Sequence, residues 1–223
     1  MPVTIAFDVY GTLIDTDGVK AVLQKVVGDK AEAFSQTWRS KQLEYAFRRG
    51  LMQRYQDFAV CTSNALDYSC LLHQQNLSDP QKKMLLDSYS QLPAFDDVEA
   101  GLARLKADGH RLFAFSNGKK TAVESLLINA GIRPFFADVV STDGIKSFKP
   151  NPEVYRYFLQ KAAASEEHAW LVSGNAFDVI GAVSAGMNAA WLQRQPADIF
   201  DPWDFEPTIT INSIVELAAK NLG

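Results

Sequence analysis

The sequence predicts an α/β fold, a doubly wound, Rossmann-like parallel sheet core with an inserted helical cap. Three observations predict it. Apolar β-type runs recur at residues 3–7, 111–115, 138–141, 169–172 and 189–192. Segments of helical spacing separate several of them, such as Val98, Leu102 and Leu105, or Val123, Leu126, Leu127 and Ala130. Such alternation builds βαβ units with right-handed crossovers. The stretch 16–93 stands outside that alternation and reads as helix after helix. The expected division is a core of residues 1–15 and 94–223, with residues 16–93 as the cap.

Size and composition agree with this plan. A chain of 223 residues, 47% hydrophobic and 22% charged, has the balance of an ordinary soluble globule with a sizeable core. The 22 Lys+Arg against 26 Asp+Glu give a net charge of −4, which leaves no nucleic-acid footprint. No basic stretch followed by an apolar run marks a secretory signal. No apolar run approaches the ~20 residues of a membrane span. Cys61 and Cys70, nine residues apart, match no metal or redox motif. Two reduced, packed thiols in a cytoplasmic protein are the expectation.

The first strand delivers Asp8 to its C-terminal end and breaks at Gly11. Ligands of open parallel sheets bind beyond the strands' carboxyl ends, and a carboxylate there can act as a nucleophile. A solvated Asp-x-x-Gly turn is the plain alternative. The insertion then reads as helices around Ala21–Val27, Phe34–Trp38, Leu43–Phe47 and residues 58–72. A last one follows Ser78-Asp79-Pro80-Gln81, where Ser and Gln have capping-box spacing and Pro80 lacks only an N–H without an intrahelical acceptor. A helical block placed there can cover the active edge and exclude water.

The remaining strand ends carry the chemistry. The second ends in Ser116-Asn117-Gly118 ahead of a helix, an arrangement suited to anions. In Lys149-Pro150-Asn151-Pro152, Asn151 reads as an N-cap and Pro152 as N1, which fixes Lys149 just ahead of a helix. A further strand ends in Ser173-Gly174-Asn175-Ala176-Phe177-Asp178. Each has a local reading: a turn, a solvated lysine, an N-cap at Asn175, a helix-dipole partner at Asp178. Together they place a carboxylate, a Ser-Asn pair, a lysine and a Ser-x-Asn-x-x-Asp group at four strand ends on one edge. Residues 195–207 read as an ordered surface loop.

The set Asp8-x-Tyr10-Gly11-Thr12-Leu13, Ser116-Asn117-Gly118, Lys149-Pro150 and Ser173-x-Asn175-x-x-Asp178 resembles the haloacid dehalogenase superfamily. Within it, the chain is more similar to the L-2-haloacid dehalogenases than to the phosphatases. Trp38-Arg39-Ser40-Lys41-Gln42-Leu43-Glu44-Tyr45 resembles the dehalogenase cap helix with its catalytic arginine, here Arg39. Phe58, Tyr155 and Ala189-Ala190-Trp191 also fit. The phosphatases typically carry a second aspartate where Tyr10 stands, and Asn175 stands where many have another acid.

The resemblance implies a metal-independent, cofactor-free hydrolase acting on short L-2-haloalkanoic acids. Asp8 would attack C2 and expel halide with inversion, and water would cleave the ester to a D-2-hydroxy acid. Lys149 would keep Asp8 ionised, Thr12 would support its loop, and Arg39 would stabilise the departing halide. Ser116 and the backbone N–H groups around Asn117 would hold the substrate carboxylate. Asp178, with Ser173 and Asn175, would position and activate water. Tyr10, Leu43, Phe58 and Phe177 would lie around the substrate, and Tyr155 would reach Lys149 or Asp8. Phe177 stands where these dehalogenases often carry tryptophan. The apolar cap helices would suit a homodimer. The alternatives are a Mg²⁺-dependent phosphatase of the same superfamily and a non-catalytic binding protein on this fold.

Overall fold

The computed structural model describes residues 2–222. Six parallel strands form one sheet: β1 (Thr4–Phe7), β2 (Arg111–Ser116), β3 (Asp138–Ser141), β4 (Ala169–Ser173), β5 (Asn188–Leu192) and β6 (Ile209–Ile211). Their spatial order is β3-β2-β1-β4-β5-β6. The winding reverses beside β1, so a crevice opens at the carboxyl ends of β1 and β4, where open α/β sheets bind ligands.

Both faces of the sheet are buried, and side chains alternate between them along each strand. Ile5, Phe7, Leu112, Ala114, Trp170 and Val172 enter one hydrophobic cluster, while Ala6, Phe113, Phe115, Ala169 and Leu171 enter the other. That double burial explains why the strands read as apolar runs instead of a polar–apolar alternation.

The insertion contributes α1 (Gly18–Val27), α2 (Ala31–Leu51), α3 (Phe58–Leu72) and α4 (Asp79–Ser88). The cluster on the first face is shared by α5 (Val98–Ala107), α6 (Lys120–Asn129) and the short C-terminal α9 (Ile214–Leu217); α7 (Pro152–Ala162) and α8 (Ala176–Ser184) cover the other face. The Ser78–Gln81 capping box forms at the start of α4, and the Asn151 side chain caps α7 by accepting from the Glu153 N–H.

Three differences from the sequence reading have simple causes. Residues 34–38 and 43–47 are parts of one 21-residue helix, because nothing between them breaks it and Trp38 and Gln42 are both buried one turn apart. A sixth strand, too short to show as an apolar run, pairs with β5 at the sheet edge. Lys149 does not stand at a strand end: β3 stops at Ser141, and Lys149 sits on the long connection before α7. Cys61 and Cys70 are free and buried. Among the described residues, no helix is long and apolar enough to cross a membrane.

Candidate active site

Strand register brings the first groups together. Phe7 pairs with Ala114 on one side and Val172 on the other, so Asp8 emerges level with Phe115 and Ser173. Three side chains hold Asp8 Oδ2: the Thr12 hydroxyl and the Asn175 amide donate at 2.8 Å each, the Ser173 hydroxyl at 3.4 Å. Lys149 Nζ donates to the other oxygen, Oδ1, at 3.1 Å. The Asp8 carboxylate is thereby fixed in position and orientation while its residue keeps 8% of its surface.

The two loops are locked to each other. Gly11 turns with φ +79°, a conformation most side chains resist. At Gly174 a Cβ atom would lie 2.5 Å from the Gly11 carbonyl oxygen, so only glycine allows this approach. The Gly174 N–H donates to Thr12 Oγ1 at 2.9 Å, which leaves the Thr12 hydroxyl proton for Asp8. Asn175 begins α8 but makes no side-chain cap; its amide turns instead to Asp8 and to the Tyr10 carbonyl.

Lys149 is 1% exposed and Asp178 fully buried. Lys149 Nζ donates to Asp178 Oδ2 at 2.7 Å and to the Phe115 carbonyl at 2.8 Å, and lies 4.2 Å from the Phe115 ring centroid. Burying an ammonium costs several kcal/mol, and burial alone pulls its pKa down. The attraction of Asp178 and Asp8 outweighs that, and the net shift of Lys149 is upward. Asp178 goes the other way. Burial is the largest influence, and despite Lys149 it is pushed up to about 6. Tyr155 completes the set by donating to Asp178 Oδ1 at 2.8 Å; burial first, then Asp178, raises its phenol well above the usual range. Tyr155 therefore meets Asp178 directly and reaches Lys149 only through it.

The Ser-Asn pair has structural duties as well. Asn117 Oδ1 accepts from the Lys149 N–H at 2.9 Å and from the Thr142 hydroxyl at 3.3 Å, which holds the Lys149 connection against β2. Ser116 Oγ accepts the Gly118 N–H at 3.1 Å, so one of the backbone donors expected for a substrate carboxylate is already engaged.

From the insertion, Arg39 reaches the Asp8 loop. Its Nη2 lies 3.3 Å from Asn175 Oδ1 and 3.5 Å from the Tyr10 carbonyl, and its Nη1 donates to Gln42 Oε1 at 2.8 Å. The Tyr10 ring lies 6.4 Å from that of Phe58, and burial pushes its phenol up to about 12. Phe58 and Leu43 join a small cluster with Ala46, Cys61 and Phe148. Phe177 packs edge-on against Phe47 of α2 at 5.0 Å. Beside that pair lies a cavity of about 610 Å³, lined by Phe47, Phe148, Phe177, Ile180 and Trp203 among others.

Two members of the site were not read from the sequence. Gln42, 1% exposed, holds Arg39 and in turn donates to Thr62 Oγ1. Its only sequence signal is the i+3 position after Arg39 on a helix. Arg194 reaches the Thr12 carbonyl from beyond β5, with no local motif to announce it.

Residues 3–186 match the haloacid dehalogenase-like hydrolases, and the chain belongs to that family. Its relatives are more particular. The chain is 33% identical over 214 residues to an (S)-2-haloacid dehalogenase of Pseudomonas putida, covering 96% of this chain and 94% of the relative. It is 34% identical over 218 residues to haloacetate dehalogenase H-2 of Moraxella sp. (strain B), covering 96% and 97%. A solved structure of the L-2-haloacid dehalogenase from Xanthobacter autotrophicus, with chloropropionic acid covalently bound, superposes with a TM-score of 0.90. That match has 26% identity and covers 98% of each chain.

Proposed function

We propose that the protein is an (S)-2-haloacid dehalogenase that converts short L-2-haloalkanoic acids into D-2-hydroxy acids through an ester on Asp8. The observation that carries this reading is the Asp8 carboxylate itself. It lies at the sheet's switch point, with one oxygen held by Thr12, Asn175 and Ser173 and the other by Lys149. A carboxylate so oriented is set for displacement at carbon.

In the first step an Asp8 oxygen bonds to C2 as the carbon–halogen bond breaks, and halide departs with the bonding pair. Arg39 lies beside the Asp8 loop, where it can stabilise that developing charge. Ser116 and the start of α6 take the substrate carboxylate. In the second step water adds at the Asp8 carbonyl carbon, and the bond from that carbon to the oxygen now on C2 breaks. Asp178, whose pKa of about 6 leaves it mostly ionised at neutral pH, takes one proton from water; the other passes to the departing alkoxide as Asp8 returns to its carboxylate, and Asp178 then releases its proton to solvent. C2 is inverted once, so an L substrate gives a D product.

Residues 16–93 act as a cap, supplying Arg39 and the apolar wall of Leu43 and Phe58, with Phe177 opposite from the core. The chemistry runs without a metal: Tyr10 and Asn175 leave the crevice short of the carboxylates a hard cation needs, and the Lys149 ammonium supplies positive charge beside Asp8. A homodimer would use the exposed Leu71 and Leu72 of α3.

The test is halide release from L- and D-2-chloropropionate by chelator-treated protein, with Asp8→Asn alongside. Release from the L form alone, abolished in the variant, is the expected result. Absence of release from either enantiomer and from monochloroacetate would sink the proposal.

A further inference from the structure

Arg194 lies outside every motif named above, yet it touches the loop that carries the nucleophile. It follows β5, and its side chain runs back across the sheet edge with 12% exposure. Nη2 donates to the Thr12 carbonyl at 2.5 Å and Nη1 to Asp97 Oδ1 at 2.6 Å. The guanidinium stacks 4.1 Å from the Phe95 ring centroid. Asp97 is itself held, because its Oδ2 accepts the Ile214 N–H at 2.6 Å at the start of α9.

Such an arrangement is costly to build. Burial pulls the Arg194 pKa down, and its Nε is buried without a hydrogen-bond partner. An arginine needed only to cover the edge could leave its head in water, as long cationic side chains usually do. Here the planar fork satisfies two acceptors from different segments at once, a geometry that lysine cannot reproduce.

We infer that Arg194 is a positioning residue for the nucleophile loop. It holds the Thr12 carbonyl, while the hydroxyl of the same residue donates to Asp8 Oδ2 and accepts from the Gly174 N–H. Releasing the Thr12 carbonyl lets the hydroxyl drift and frees Asp8 to leave its attack orientation, and small misplacements at a reacting carboxylate are expensive. Arg194 acts through Thr12 and does not meet the substrate.

The inference rests on Asp8 being the nucleophile, and two readouts separate it from that premise. In steady-state halide release from L-2-chloropropionate, Arg194→Met is expected to lower kcat about 30-fold while KM stays within about twofold. Arg194→Lys, which reaches one acceptor but not both, is expected to lose about threefold. Millimolar methylguanidinium should restore part of the activity of Arg194→Ala, a rescue that a mere loss of folded protein would not allow. Amide exchange at Gly174 is the second readout and needs no turnover: it should quicken in Arg194→Lys, which keeps the charge and the aliphatic stem but not the two-pronged contact. Wild-type kcat in Arg194→Met with unchanged Gly174 exchange in Arg194→Lys would overturn the inference. A wild type inactive on haloacids would instead remove the dehalogenase reading, leaving the exchange result to decide on the clamp.

Discussion

Lys149 lies closer to Asp178 than to Asp8, 2.7 Å against 3.1 Å, and Asp178 has no solvent contact at all. The lysine is thus the shared counter-ion of two carboxylates and the reason both can occupy one interior. Breaking such a set by removing the cation costs more than the set contributes net, because it strands buried charge.

Lys149→Met should therefore abolish halide release and destabilise the fold by about 3–5 kcal/mol at neutral pH. Part of that loss should be regained as pH falls and one carboxylate takes up a proton. Urea unfolding at pH 7 and pH 5 measures it; an equal loss at both would contradict the shared counter-ion account.

Asp178 gives a signed pH dependence. Its folded pKa of about 6 lies above the ordinary aspartate value of 3.8, so the folded state holds the proton more tightly than the unfolded chain. The resulting stabilisation is full below 3.8 and disappears as pH rises through about 6. Across that window the contribution is at most about 3 kcal/mol. Wild type should lose stability relative to Asp178→Asn between pH 4 and pH 7. With Asp178 as the proposed base, activity has the opposite slope, since that base must be ionised: kcat should drop as pH falls through about 6. Parallel stability curves for the two proteins would refute the assignment.

Tyr155→Phe removes a donor that favours the ionised form of Asp178. The acidic limb of kcat should move to higher pH, with a stability loss of about 1–2 kcal/mol. If water activation belongs to Asp178, the ester on Asp8 should accumulate in the variant. Intact-protein mass spectrometry of the quenched reaction detects the added carboxyalkyl mass.

Gln42→Leu frees Arg39 Nη1 and leaves the Thr62 hydroxyl without its amide donor. A kcat loss of roughly tenfold with a modest stability cost is expected, in keeping with one misplaced charge stabiliser. Faster turnover, or a change confined to KM, would argue that Arg39 needs no support from its own helix.

The strands and the Asp8, Ser116 and Asp178 positions at their ends were legible because apolar runs and polar strand ends are local signals, and the place of Lys149 ahead of α7 because Asn151-Pro152 marks a helix start. The 209–211 strand was not, since three residues at a sheet edge carry too little pattern. Lys149 was paired with Asp8 but not with Asp178: which carboxylates a lysine meets depends on partners 29 and 141 residues away. Gln42 and Arg194 were invisible for the same reason. A helical glutamine and a post-strand arginine look solvated until Thr62, Arg39, Asp97 and Thr12 are brought to them by the fold.

One hydrophobic cluster runs without interruption from Ile5 and Phe7 of the sheet through Val19 and Leu23 to Phe34, Trp38 and Leu66. The helical block is therefore no detachable cassette. Grafting residues 16–93 from a relative would replace part of the wall against which the strand leading to Asp8 packs, and the chimera would inherit mismatched volumes at its centre. Recombination between such enzymes should succeed only when both sides of that wall travel together.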